Sequence, residues 1–280
     1  MDWERDLPRW SLPETSRRIV NGPHRWHVQI AGSGPDILLL PGAGASTHTW
    51  RKLIPGLAEA NRVIAPDLPG QGFTQSPNAS RSGLAEMTED LTALAVAEGW
   101  EPVAIIGHSA GTAIGLRLVQ TLGVRKVIGI NPALDNFKGV AGWLFPMLAK
   151  MLAANPFTAN MFSFGATTFR ARRLIEGTGS RIDDESLAFY TRLTGNRTHV
   201  NGALQMMARW SLDDLVNDLP NIPADVLFLV GDNDKAVPPD VADQAAQRLP
   251  NATVRHLNDL GHLAHEEAPE RILREIRSFL

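Results

Sequence analysis

Ile105-Ile106-Gly107-His108-Ser109-Ala110-Gly111 is the stretch on which the fold turns. Ahead of it, Val103-Ala104-Ile105-Ile106 is a short apolar run of the kind that forms a buried parallel strand. Behind it, Thr112 to Leu122 places Ile114, Leu118 and Leu122 at four-residue spacing, on one face of a helix. Between them lies Gly-x-Ser-x-Gly, a strand-to-helix turn so tight that its serine is held in a strained backbone conformation. Gly107 and Gly111 lack a β-carbon, so neighbouring backbone can come close. Ser109 is expected at the carboxyl edge of a sheet with its hydroxyl exposed. The N–H groups of the following helix would then point toward any anion developing beside it. A bare Gly/Ser pattern is common by chance, but the β-run before it and the periodic helix after it read as a nucleophile elbow.

Outward from this turn, apolar runs and helical patterns alternate. Upstream, Ile19 to Ile30 alternates weakly around Asn21-Gly22 and predicts an antiparallel pair at a sheet edge, preceded by an irregular arm over residues 1–18. Asp36 to Leu40 is a buried strand that runs into the small-residue loop Pro41-Gly42-Ala43-Gly44-Ala45-Ser46. A helix is expected from Trp50 to Glu59, a strand over Arg62–Ala65, and a longer helix over Leu84–Glu98. Downstream come strands at Lys126–Ile130, Val226–Val230 and Thr253–Leu257, then helices over Val241–Leu249 and Pro269–Leu280. This alternation implies an α/β protein: a mostly parallel, eight-stranded sheet with helices on both faces.

From Ala133 to Leu219 the alternation stops. The stretch carries Phe137, Phe145, Phe157, Phe162, Phe164 and Phe169 with Met147, Met151 and Met161, and contains no strong β-run. It predicts an inserted helical cap, so that residues 1–132 and 220–280 form the core domain and 133–219 the cap. Much of the Met/Phe content is ordinary helical core; part is expected to line an adaptable apolar pocket. Arg170, Arg172, Arg173, Arg181, Arg192 and Arg197 read mostly as a solvated helix face, with one or two near the pocket mouth. Hinges are expected near Asn131-Pro132 and Pro220–Pro223.

Ser109 needs a base, and the base needs an orienting carboxylate. Loops at the same sheet edge supply both, in the chain order Ser, acid, His. His262 follows the last strand and is the expected base. Asp234, at the tip of Gly231-Asp232-Asn233-Asp234, is the expected acid; Asp232 could instead cap backbone N–H groups of that turn, and Asp135 is a second acid position. The backbone N–H groups of Ala110 and Ala43 are the expected oxyanion donors, since Pro41 has none to offer. His48, His108 and His265 read as structural.

Composition narrows the function classes. A chain of 280 residues, 44% hydrophobic, can bury a sizeable core, and its net charge of −3 without long runs of one sign gives nucleic acid no footprint. Without cysteine there is no disulfide, thiol catalysis or cysteine-held metal. The charged start, Met1 to Asp6, is not a signal peptide, and no run of about 18 apolar residues predicts a transmembrane segment. A cytoplasmic protein with no cofactor or metal is expected. No Gly-x-x-x-x-Gly-Lys-[Ser/Thr] loop is present, so ATP hydrolysis is not.

Leu40-Pro41-Gly42-Ala43-Gly44, Asp67-Leu68-Pro69-Gly70-Gln71-Gly72, Gly107 to Gly111, Gly231 to Asp234 and Gly261-His262 together resemble the α/β-hydrolase fold over nearly the whole chain. Many relatives carry His before the oxyanion-loop glycine where this chain has Pro41. Serine at 109 rather than aspartate argues against haloalkane dehalogenase and epoxide hydrolase chemistry. The arm Trp3…Trp10, with Ser16 to Val20, Arg25 to Gln29 and Gly44 to Trp50, resembles the BchO family of magnesium-chelatase accessory proteins in bacteriochlorophyll synthesis. That resemblance implies a place near magnesium insertion into protoporphyrin, with chelatase subunits as partners. Two functions follow as expectations: a serine hydrolase of an apolar ester, or a tetrapyrrole-binding accessory protein that does not use its serine.

Overall fold

A computed structural model describes residues 1–135 and 158–280. Its strands are β1 (Ser16–Asn21), β2 (His24–Ala31), β3 (Asp36–Leu40), β4 (Arg62–Pro66), β5 (Pro102–His108), β6 (Lys126–Ile130), β7 (Asp225–Gly231) and β8 (Ala252–Leu257). They form one sheet in the order β1-β2-β4-β3-β5-β6-β7-β8, in which β2 runs against its neighbours and the pairs from β4 to β8 are parallel. The expected Asn21-Gly22 hairpin is present, with Asn21 opposite His24 and Gly22 at φ +57°.

Strand periodicity divides the interior in two. Leu38, Leu40, Ile105, Val127, Val226, Phe228 and Val230 point to one face, where Leu84, Met87, Leu91 and Leu94 of α3 (Leu84–Glu98) and Ile114 and Leu118 of α4 (Ala110–Leu122) cover them. Ile37, Leu39, Ile106, Ile128, Leu227 and Leu229 point to the other, against Trp50, Leu53 and Leu57, and Ile272 and Ile276 of the closing helix. Each such side chain, fully buried, contributes about 1.5–3 kcal/mol, so the two faces hold the sheet from both sides.

Between β6 and β7 the described chain is helical. Counting α1 (Trp3–Asp6) and α2 (Ile54–Leu57) at the start, these inserted helices are α5 (Thr158–Phe164), α6 (Thr168–Gly177), α7 (Asp184–Thr194), α8 (Arg197–Arg209) and α9 (Asp213–Asp218). The chain then closes with α10 (Asp240–Ala246), α11 (Ala264–Glu267) and α12 (Pro269–Phe279).

One sequence expectation needs correcting, and two others gain contacts that the sequence does not show. The helix expected over Trp50–Glu59 is a 3₁₀ turn at Thr47–Trp50 followed by the single turn α2, because Pro55-Gly56 interrupts helix propagation. The N-terminal arm is packed: Trp10, 4% exposed, stacks edge-on against Phe73 and Phe189, its indole N–H donates to Thr47 Oγ1 at 3.3 Å, and Arg18 lies 4.5 Å over the Trp3 ring. Buried contacts lie beside the stretches expected as hinges. Leu219 and Ile222 are buried in the core, and the Asn131 side chain makes three hydrogen bonds described below.

Candidate active site

The turn between β5 and α4 carries Ser109 at φ +51°, ψ −118°, a region costly for a residue with a β-carbon, of order 1–3 kcal/mol. Neighbouring backbone holds it there: Ser109 N–H donates to Ile130 O at 3.0 Å, and Ser109 O accepts from Thr112 N at 3.1 Å and Ala133 N at 3.3 Å. The two flanking glycines are sterically required. A β-carbon on Gly111 would stand 2.1 Å from Leu40 O, and one on Gly107 would stand 2.5 Å from Thr112 Cα. Gly42 approaches from the other side, less tightly, where a β-carbon would meet Ser109 Cβ at 3.1 Å and His108 Nδ1 at 2.9 Å. The Pro41–Ser46 loop therefore lies against Ser109, because β3 and β5 are paired in register up to Leu40 and Gly107. Ala110 opens α4, so its N–H belongs to the helix turn that has no partner within the helix.

Loops after β7 and β8 bring Asp234 and His262 together at the same sheet edge. Asp234 Oδ2 accepts from His262 Nδ1 at 2.7 Å, with the two side chains 1% and 12% exposed. In a neutral imidazole this bond places the proton on Nδ1 and leaves a lone pair on Nε2. The other carboxylate oxygen, Oδ1, accepts from Ala236 N at 2.8 Å and Val237 N at 2.9 Å. The turn-capping task that the sequence offered to Asp232 thus belongs to Asp234, whose two- and three-residue spacing to those N–H groups suits an Asx turn. Asp232 turns outward to His256 Nδ1 at 2.8 Å.

Two residues hold His262 in place: His108, which the sequence reads only as structural, and Asn131, to which it gives no part in the site. Asn131, at the end of β6 with φ +45°, donates from Nδ2 to Gly261 O at 2.8 Å and His262 O at 2.7 Å, and accepts from Gly231 N at 2.7 Å. It ties the Asp234 loop to the His262 loop. His108 donates from Nε2 to His262 O at 2.9 Å. The one sequence signal for Asn131 is an Asn directly after a central strand, a residue that tolerates the left-handed region.

Asp67 organises the neighbouring loop. Fully buried, it accepts from Thr47 N at 2.7 Å, Phe73 N at 2.8 Å, His27 Nδ1 at 2.7 Å and the Ser46 hydroxyl. Burial alone would raise its pKa; the His27 charge and these hydrogen bonds outweigh burial and hold it below the usual carboxylate value.

The inserted helices close over this edge. Leu263 N donates to Ser180 Oγ at 2.7 Å, and Lys235 N to Thr178 O at 3.0 Å. Ala45, Ile175, Tyr190 and Leu263 form a buried apolar cluster beside His262. His48 packs among Trp10, Phe189 and Tyr190 at ring distances of 4.6–5.5 Å. His265 Nε2 bonds Thr49 Oγ1 at 2.6 Å, and Thr49 donates to Glu266 Oε1, which also accepts from Tyr190 Oη, both at 2.6 Å. Of the arginines, Arg172 pairs with Asp184, Arg170 with Gly165 O, and Arg173 lies over Phe169 on the surface. Phe137, Trp143, Phe145, Met147, Met151 and Phe157 lie outside the described residues.

The buried histidines His48, His108, His199 and His265 set a pH dependence of stability. Burial lowers His199 to about 4 and His265 to about 3 from 6.5, and drives His48 and His108 well below it. Below pH 6.5 the unfolded chain takes up protons that the folded protein refuses, so stability held at neutral pH is lost as pH falls toward 4. At pH 5, His199 and His265 cost about 2 kcal/mol each. Glu266, raised by burial, and the half-exposed His256, raised by its hydrogen bonds to Asp232 and Asp243, act in the opposite sense, two groups against four. The expected result is a thermal midpoint that falls steadily from pH 7 to 5; a flat midpoint over that range contradicts it.

Among the described residues no group of His, Asp and Glu is arranged to hold a metal ion, and no helix is long and apolar enough to cross a membrane. Residues 35–269 match the family model described as the alpha/beta hydrolase fold, and the chain belongs to that family. Within it, the chain is 46% identical over 280 residues to the magnesium-chelatase 30 kDa subunit of Rhodobacter capsulatus, covering 99% of this chain and 98% of that one. That is the relationship the BchO-like segments imply. It is also 25% identical to the 2-hydroxymuconate semialdehyde hydrolase of Pseudomonas putida, over 96% of this chain and 95% of that one. Among solved structures, the epoxide hydrolase CorEH superposes with a TM-score of 0.80 at 23% identity, covering 95% of this chain and 98% of that one, a likeness of fold alone.

Proposed function

We propose that the protein is a serine hydrolase acting on an ester or related acyl group of an apolar ligand. The observation that carries this reading is the 2.7 Å Asp234–His262 hydrogen bond, made at the sheet edge where Ser109 is held at positive φ. Ser109 Oγ attacks the acyl carbon as its proton passes to His262 Nε2, and Asp234 stabilises the resulting imidazolium. The oxyanion is held by the N–H groups of Ala43 and Ala110. Collapse expels the alcohol, which takes the proton from His262. Water then repeats the sequence: it loses a proton to His262, attacks the acyl-enzyme, and the acid leaves as Ser109 regains its proton. Residues 133–219 act as the cap, and the cluster of Ala45, Ile175, Tyr190 and Leu263 supports an apolar acyl site.

Ser109→Ala is expected to abolish hydrolysis of a short p-nitrophenyl ester without changing the thermal midpoint. Folded wild-type protein with no turnover above the buffer rate would refute the hydrolase reading.

One observation favours a second reading: the 46% identical relative is named as a magnesium-chelatase subunit. On that reading the protein works in the cytoplasm beside chelatase subunits in bacteriochlorophyll synthesis and holds a tetrapyrrole. Titration with magnesium protoporphyrin methyl ester, read by tryptophan quenching, separates the two. Saturable micromolar binding retained in Ser109→Ala, with no esterase activity in the wild type, would establish the accessory role. Esterase activity without porphyrin binding would reject it.

A further inference from the structure

We infer that His199 and Gln71 are positioning residues for the oxyanion loop: they hold Gly44 by its C=O and its N–H and so fix the adjacent Ala43 N–H beside Ser109. The inference rests on the serine-hydrolase reading.

The loop Pro41-Gly42-Ala43-Gly44-Ala45 has almost no side chains with which to anchor itself. Its internal tie is a single turn bond, Ala45 N to Gly42 O at 3.2 Å. Gly44 sits at φ +78°, where a side chain would be strained, and a β-carbon there would meet nothing within 4 Å. Its conformation is therefore set from outside. Gly44 N–H donates to Gln71 Oε1 at 2.6 Å, and Gly44 O accepts from His199 Nε2 at 3.1 Å.

Both gripping side chains are buried, Gln71 completely and His199 at 3% exposure, and both are held in turn. His199 Nδ1 accepts from Gly72 N at 2.9 Å, which assigns the ring proton to Nε2, the nitrogen facing Gly44 O. With burial lowering its pKa to about 4, the ring stays neutral at working pH and keeps one donor and one acceptor. Gln71 Nε2 faces Met206 Sδ of α8 at 3.2 Å. Helix α8 itself is pressed onto the Gly70–Gly72 turn, because Gly202 has Gly70 O only 2.0 Å from where its β-carbon would be. Asn196 caps the helix by accepting from His199 N–H at 3.0 Å. The inserted helix, the Asp67–Gly72 loop and the oxyanion loop are thus one hydrogen-bonded unit, and His199 is the link that belongs to the insertion. Oxyanion donors act only where their geometry is fixed to a few tenths of an ångström, so a loop free to shift loses rate without losing substrate.

Three substitutions separate positioning from plain packing. His199→Asn keeps an acceptor near Gly72 N–H but is too short for Gly44 O. His199→Gln carries an amide N–H out to the position of Nε2. Gln71→Met, similar in volume, removes the Gly44 acceptor. His199→Asn and Gln71→Met are expected to lower both kcat on a p-nitrophenyl ester and the rate constant of fluorophosphonate labelling by about 10- to 100-fold, with KM nearly constant. His199→Gln is expected to recover to within about 3-fold of wild type, although its thermal midpoint falls as far as that of His199→Asn. A structural role alone would move the two histidine variants together. Equal rate losses in Asn and Gln, or rates in all three variants near wild type, would overturn the inference and leave the hydrolase reading intact. A folded wild type that never labels would overturn that reading and this inference with it.

Discussion

Asp234→Asn is expected to lower kcat by about 10⁴ while leaving the fold in place, as loss of the orienting carboxylate does in serine proteases. The geometry gives the reason. Asp234 Oδ1 receives two backbone N–H groups, Ala236 at 2.8 Å and Val237 at 2.9 Å, so the amide oxygen of Asn must occupy that position. Its NH₂ group then faces His262 Nδ1, where the carboxylate oxygen now accepts at 2.7 Å. A donor there forces His262 to present a lone pair on Nδ1 and carry its proton on Nε2. The histidine can no longer take the proton of Ser109. Because the turn bonds survive, the thermal midpoint should stay near that of wild type. Asp232→Asn, which alters a surface pair with His256, is the matched control and should retain kcat. A loss of less than about 10-fold in Asp234→Asn would remove Asp234 from the role.

Asp67→Ala carries the largest expected stability loss, about 3–5 kcal/mol. The carboxylate is fully buried and is the shared acceptor of Thr47 N, Phe73 N, His27 Nδ1 and the Ser46 hydroxyl. Its removal strands those donors inside the protein, where water cannot replace it, and each unmet donor carries its own desolvation cost. The same change unfastens the far end of the oxyanion loop at Ser46 and Thr47, so esterase activity should fall even below the melting temperature. Asp67→Asn should be intermediate, since an amide offers one acceptor oxygen in place of two. Chemical denaturation of the purified variants measures both; a midpoint unchanged in Asp67→Ala would contradict the hub described here.

What the chain disclosed on its own was governed by distance along it. The elbow was legible because its requirements are local: a strand, two glycines that the structure shows pressed against Leu40 O and Thr112, and a helix with four-residue apolar spacing. Helix α3 was legible to its ends, since Gly83 and Gly99 bound a run free of Gly and Pro and rich in Ala, Leu and Glu. The Asp234 and His262 loops could be placed because each follows a β-run, and parallel strands deliver their carboxyl ends to one edge. The supporting contacts were not legible. His199 meets Gly72 across 127 positions and Gly44 across 155, and Asn131 meets His262 across 131. No periodicity encodes such pairs. The packing of the N-terminal arm was not legible for the same reason. Its tryptophans look like an irregular polar-flanked stretch until Phe73 and Phe189 are brought beside Trp10. Nor was the bracing beside Pro132 legible: the residue before it, Asn131, makes three side-chain hydrogen bonds to loops far along the chain.

The central claim is that Ser109 is an activated nucleophile. Intact-mass analysis after incubation with a fluorophosphonate, followed by peptide mapping, tests it most directly. The account predicts one phosphonyl adduct per chain, located on Ser109, absent from Ser109→Ala and slowed in Asp234→Asn. A folded wild type that acquires no adduct, or an adduct that persists in Ser109→Ala, would contradict it.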